Sequence, residues 1–218
     1  LIDSYGDQAI DYAIQYFEEY SQETDDPKQH ICAVKSCWSA IQVNCELGRL
    51  EAAASAYAQI VAMLQNLVKR FPDIPDYERA LSTCYYKAAT FHDTMGNAKE
   101  AASNFESALQ IRESLVQRFP NSLEDGTALT WILNALATNY WNEGRLDEAE
   151  QMFRRVLALG DQLPDGYRDT ADYFCDRGSA LGNLGGVYYD RNDYDTFGKL
   201  TREAIECQQQ ALARQLDH

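Results

Sequence analysis

Few residues in this chain have both the type and the spacing that chemistry needs. His30, Cys32, Cys37 and Cys45 are zinc-type donors, yet they form neither a C-x2-C nor an H-x3-H pair. On a helix, Cys32 and Cys37 point to opposite faces, so no metal site is assigned. "GNLGG" at 182–186 has the glycine content of a phosphate loop but follows no strand and matches neither G-x-G-x-x-G nor a Walker motif. Small residues where two helices touch account for it. His92 beside Asp93 has no nucleophile or cleft to serve, and reads as a packing histidine with a local hydrogen bond. Carboxylate pairs abound in a chain with 34 acids and carry no information. No catalytic residue and no cofactor motif emerges, so an enzyme is not expected. What remains is suited to recognition: Lys35, Trp38, Tyr86, Trp131, Asn134, Thr138, Trp141, Asn142 and Tyr189. Asparagine amides can bond a peptide backbone as donor and acceptor, while indoles cover its apolar side chains. All 3 tryptophans of the chain are in this set, and large rigid aromatics suit binding hot spots.

These residues share a face only if helices place them there, and the sequence supplies the helices. "LGRLEAAASAY" (47–57), "MGNAKEAASNF" (95–105) and "EGRLDEAEQMF" (143–153) repeat with a spacing of 48 residues. Ala53, Ala101 and Ala149 follow the glycines Gly48, Gly96 and Gly144, and Tyr57, Phe105 and Phe153 come one turn later. Before each glycine runs an apolar stripe at offsets of three and four, such as Leu133, Leu136, Ala137 and Tyr140, which marks one face of an α-helix. The unit is therefore helix, glycine turn, helix and a proline-marked loop ("KRFPD" at 69–73, "QRFPN" at 117–121). Gly144 suits the left-handed residue that ends a helix. Asp26–Pro27 suits a cap and first turn. Asn97 with Glu100 reads as a capping box. No period-two segment points to strands.

The spacing predicts about nine helices. Residues 1–22 form an orphan second helix of a preceding unit, with a stripe at Ile2, Tyr5, Ala9, Tyr12, Ala13, Tyr16 and Tyr20. Units follow at 26–72, 73–120 and 121–164, with a degenerate fourth at 165–218, where Asn192 replaces the glycine, Phe197 the alanine and Thr201 the aromatic. The chain begins at Leu1 inside an amphipathic pattern and reads as a piece of a longer protein.

"NALATNYWNEGRLDEAEQMFRRVLAL" at 134–159 resembles the tetratricopeptide repeat (TPR), with its Gly turn, Ala and Phe. The unit exceeds the usual length of about 34 residues, which prolongs both helices. The "RFPD-x-PDY" linker with long helices is similar to TPR arrays attached to bacterial signalling proteins, including serine/threonine kinases, although no kinase motif is present here. The resemblance implies a right-handed α-solenoid of antiparallel helix pairs, in which the first helices line a concave, peptide-binding side. It also implies a non-catalytic interaction scaffold. The lysine-and-asparagine carboxylate clamp of chaperone-binding members is not matched, as only Lys35 and Lys87 offer charge there.

Composition narrows the partner. The formal charge is −15, and eight acids precede the first base, Lys28, so phosphate backbones are repelled and nucleic acid is not expected. The same acidity favours a basic protein or peptide. No apolar run reaches a membrane span of about 18 residues. Six cysteines spread through helical stretches fit reduced thiols, hence the cytoplasm. Two alternatives stand beside the peptide groove: the long helices bury Trp131 or Trp38 internally, or the exposed repeat ends make the chain a homo-oligomer.

Overall fold

The computed structural model of the chain describes residues 10–19 and 25–216. Ten helices run in order: α1 (10–19), α2 (Pro27–Glu46), α3 (Leu50–Arg70), α4 (Pro75–Thr94), α5 (Ala98–Arg118), α6 (Leu123–Asn142), α7 (Leu146–Gly160), α8 (Asp165–Arg168), α9 (Ala171–Asp190) and α10 (Tyr194–Leu216). Among the described residues there is no strand. The helix beyond the expected count is α8, a single turn in the link between α7 and α9. Ile2, Tyr5, Ala9 and Tyr20 of the expected first stripe lie outside the described residues, whereas Ile10, Ile14 and Phe17 pack with Val34, Cys37 and Ile41. From α2 to α10 each long helix packs on the next long helix in sequence, α7 on α9 past the short α8, and the first helices α2, α4, α6 and α9 also touch in series. The result is an all-helical solenoid.

One backbone device makes the four hairpins. Gly48, Gly96, Gly144 and Asn192 have φ of 73°, 74°, 75° and 62°. Glycine takes this left-handed region without a Cβ penalty, and asparagine is the side chain that tolerates it best. In each turn the next residue's N–H reaches back into the closing helix: Arg49 to Asn44, Asn97 to His92, Arg145 to Tyr140 and Asp193 to Tyr188, all at 2.9 Å. The left-handed residue's own N–H bonds the carbonyl three before it, at 2.9–3.0 Å, which completes a Schellman closure. The capping box at Asn97 does not form. Asn97 is the N-cap, but at φ −87°, ψ 66° its side chain makes no cap bond. Asp193 does cap: its carboxylate accepts from the Thr196 N–H at 3.0 Å. Asp26 also caps, accepting from the Lys28 N–H at 3.0 Å.

Small residues set the helix spacing. Ala53, Ala101 and Ala149 are each 0% exposed, so the paired backbones approach closely. In the last pair Phe197 stands where the alanine would be, half-buried, with its ring in van der Waals reach of Gly185 of α9, where a Cβ would lie 3.5 Å from it. The next residue, Gly186, lies under Trp141 of α6, and any Cβ there would overlap Cη2 and Cζ2 of the indole. Gly182 on the same helix has nothing within 4 Å of that position.

Two carboxylates tie neighbouring pairs together. Asp125 of α6 is 0% exposed and meets Arg79 of α4 through two oxygens (Nε–Oδ1 3.0 Å, Nη2–Oδ2 2.8 Å) and Arg112 of α5 (2.7 Å). Arg112 is itself only 2% exposed. Glu150 of α7 accepts from Arg154 at 2.8 Å and from Tyr188 and Arg191 across to α9. Burial works to raise Glu150's pKa, but these hydrogen bonds prevail and hold it at about 2. Asp125 is likewise held below the usual range: burial opposes ionisation, and bonds from Arg79, Ser122 and Arg112 outweigh it.

Helix propensity favours Ala over Gly by about 1 kcal/mol, so Gly182→Ala should raise stability by about that much. Gly186→Ala should lower it, because the indole must move. Urea midpoints of the two variants decide. Asp125→Ala strands two arginines and should cost about 3 kcal/mol or more, whereas Arg112→Met leaves Asp125 on Arg79 and should cost less. Both Asp125 and Glu150 have folded pKa values below their unfolded ones. Their stabilisation is therefore present above the unfolded pKa values and is lost as pH falls through the folded ones, for Glu150 between about 4.5 and about 2. In Asp125→Asn the acid limb of the stability–pH curve should flatten.

Candidate functional site

Two slots open between successive first helices. Between α2 and α4, a groove of about 730 Å³ is lined by Lys35, Trp38, Gln42, Tyr86, Lys87 and Thr90, with other residues of both helices. Among the described residues, no carboxylate lines it. The Lys87 ammonium lies 5.4 Å from the Trp38 ring, a cation–π contact. Trp38 Nε1 is buried beside the Cys84 thiol. Tyr86 leans on Phe105 with ring centroids 5.9 Å apart, and burial raises its pKa, so it stays a neutral phenol. Behind the groove, burial pushes the Cys84 thiol up to about 12, its contact with Trp38 offsetting a part.

The second slot, of about 410 Å³, lies between α6 and α9 and is lined by Leu123, Thr127, Trp131, Tyr167, Asp172, Cys175 and Asp176. Trp131 is 53% exposed, and its Nε1 donates to Asp176 Oδ2 at 3.2 Å. Tyr167 of α8 donates to the same oxygen at 3.0 Å. Burial and the neighbouring Asp176 push the Tyr167 pKa up, which keeps it a donor.

The structure thus brings Lys35, Trp38 and Tyr86 into one groove and seats Trp131 in the other slot. Asn134 and Thr138 lie on α6 between them and are partly used. Asn134 Oδ1 accepts from Asn183 at 3.4 Å, and the Thr138 hydroxyl donates back to the Asn134 carbonyl at 2.9 Å. Trp141 is committed to packing: its ring covers Gly186, and Nε1 donates to Asp190 Oδ2 at 2.6 Å. Asn142 is exposed at the last position of α6. Tyr189 is 52% exposed, with its ring against Tyr194 (5.6 Å) and Phe197 (5.3 Å). His92 packs edge-on against Phe91, and its Nδ1 is buried without a hydrogen bond from the described residues, unlike the locally bonded histidine expected. Tyr167, Asp172 and Asp176 do not stand out in the sequence. Their signal is an acid pair four apart on a helix beside a tryptophan, lost among the many other acids.

No helix among the described residues is long and apolar enough to cross a membrane. Two segments match tetratricopeptide-repeat family models, residues 82–115 and 129–160, each covering a first helix, its turn and the second helix. No curated protein matches the chain in sequence. Among solved structures the chain is similar to BtubC (BKLC) from P. vanneervenii, at 15% identity and a TM-score of 0.51, over 93% of this chain and 90% of that one. It also resembles a kinesin light chain-like protein of Podosopora anserina with nearly identical TPR-like repeats, at 13% identity and a TM-score of 0.49, over 93% and 95% of the two chains. The chain is an all-helical, TPR-like solenoid whose middle matches tetratricopeptide-repeat models.

Proposed function

We propose that this chain is a non-catalytic interaction scaffold that holds a peptide or protein segment along the concave face formed by α2, α4, α6 and α9. The observation that carries this reading is the α2–α4 groove, where the rings of Trp38, Tyr57 and Tyr86 and the ammonium groups of Lys35 and Lys87 border open space. Lys35, Trp38 and Tyr86 form the centre of the site, Trp131 a second anchor, and Asn134, Thr138, Asn142 and Tyr189 its continuation. Trp141 supports the site from behind. Units at 26–72, 73–120, 121–164 and 165–218, each with its hairpin turn 48 residues after the last, would repeat the groove along the rod. Six free thiols suit work in the cytoplasm, and attachment to a bacterial signalling protein would make the groove its docking arm.

A second reading, self-association through a repeat end, has its own support. Ile205 and Leu212 on α10 are 47% and 58% exposed. Their counterparts Leu109 and Val116 on α5 are packed in the core by the next first helix.

Affinity purification from cells that make the protein tests the groove. Lys35→Glu combined with Tyr86→Ala should weaken the captured partner at least tenfold with unchanged helicity, about 1.4 kcal/mol. An unchanged affinity in a folded double variant would remove the groove reading. Sedimentation across a concentration range, repeated with Ile205→Glu, tests self-association: a dimer that dissociates in the variant supports it.

A further inference from the structure

Beside the groove, in the first halves of α2 and α4, lies another pocket, of about 470 Å³, and the α6–α9 slot occupies its place two units later. Leu123, Thr127 and Trp131 stand 96 residues after Pro27, Ile31 and Lys35, and Asp172, Cys175 and Asp176 stand 96 after Asp76, Arg79 and Ala80. Both sets line a pocket between their two helices, so the backbone geometry is held while the chemistry is exchanged. The first pocket sets the cations Lys28, Lys35 and Arg79 among Trp38 and the carboxylates Asp76 and Glu124, whereas the second keeps an indole, a phenol and two carboxylates with no cation among its lining residues. Tyr167 is an addition, brought by α8.

These groups are poised for a cation that the chain does not provide. Neither Asp172 nor Asp176 makes an ion pair with a described residue, although nearby acids do: Asp161 pairs with Arg177 at 2.6 Å and Asp169 with Arg214 at 2.6 Å. Asp176 receives only neutral donors, Trp131 and Tyr167, both on Oδ2. Those two bonds fix the carboxylate and both rings in one arrangement, with the Trp131 face open at 53% exposure. A planar cation could stack on the indole and reach the carboxylates at its edge. Guanidinium does both, being weakly hydrated and forked.

We propose that the α6–α8–α9 pocket receives an arginine side chain of the segment bound in the groove, with Trp131 as its stacking platform and Asp172 and Asp176 as its counter-charges. This rests on the groove reading above and gives it a direction: the segment carries its arginine where the path crosses α6 and α9. The acidic pocket is then the local form of the chain's preference for basic partners.

The probe is acetyl-Gly-Arg-Gly-Arg-Gly-amide, titrated against the whole chain while the three tryptophan indole N–H signals are followed by NMR. The Trp131 signal should shift saturably, and the Trp141 signal should stay in place. The same peptide with citrulline for arginine keeps the shape without the charge and should bind at least tenfold more weakly. Asp172→Asn with Asp176→Asn keeps an acceptor for the indole and should weaken the arginine peptide to the same degree. Asp172→Asn alone, at an exposed position, gives a smaller loss should the pair unfold. Equal binding of the citrulline peptide, or an undiminished Trp131 shift in Asp172→Asn, would overturn the pocket. A captured partner that is lost with Lys35→Glu and Tyr86→Ala but insensitive to both aspartate changes would overturn the pocket and leave the groove standing.

Discussion

Everything in this molecule depends on the left-handed residue that closes each first helix. At Gly48, Gly96, Gly144 and Asn192 the chain leaves one helix and enters the next through the same pair of backbone bonds. That closure fixes the angle at which the second helix departs. The angle determines which side chains meet inside each pair and where the following first helix lands. A solenoid needs this step to be repeatable, since each pair rests on its neighbours and errors would accumulate along the rod. Asparagine at 192 shows that the conformation, rather than glycine itself, is what the architecture requires.

The hairpins are legible in the sequence because they depend on local chemistry. A glycine after an apolar stripe, an alanine five residues on and a proline after the aromatic each state a backbone requirement in one residue type. The capping box at Asn97 fails for an instructive reason. The Schellman closure already takes the Asn97 N–H, and the residue's backbone is left outside the extended region a side-chain cap requires. The last pair looks degenerate when its substitutions are taken one at a time. Phe197 lies against Gly185, and only three-dimensional proximity shows that they are partners.

The recognition face is legible in outline but not in allocation. Helical phase places Trp38, Tyr86, Trp131 and Trp141 on the first helices, but phase says nothing of what lies opposite. Trp141 faces a glycine of α9 and is part of the scaffold, whereas Trp131 faces aspartates and stays open. The buried charges escape for a related reason. Arg112 and Asp125 stand 48 residues after Leu64 and Tyr77, which belong to the core of α2, α3 and α4. A polar residue in an apolar register can mean a surface or a buried pair, and the sequence does not distinguish them until its partner is located. Here Arg79 and Arg112 share Asp125 between three helices, so the pair joins what the apolar core joins elsewhere.

A periodic backbone separates two tasks that most folds must solve together. The turns, the small residues at helix crossings and the aromatic after them repeat because the rod requires them. Most side chains of the slots between first helices carry no such burden, Arg79, held by Asp125, being an exception. Lys35 can therefore become Trp131, and Ala80 can become Asp176, with the slot itself preserved. Along one groove this yields a cationic, aromatic stretch at α2–α4 and an anionic, aromatic one at α6–α9. A segment bound as proposed would have unlike surroundings at its two ends, and reversing it would set like charges together. The charge pattern of two places that the repeat makes geometrically alike would then give binding a direction.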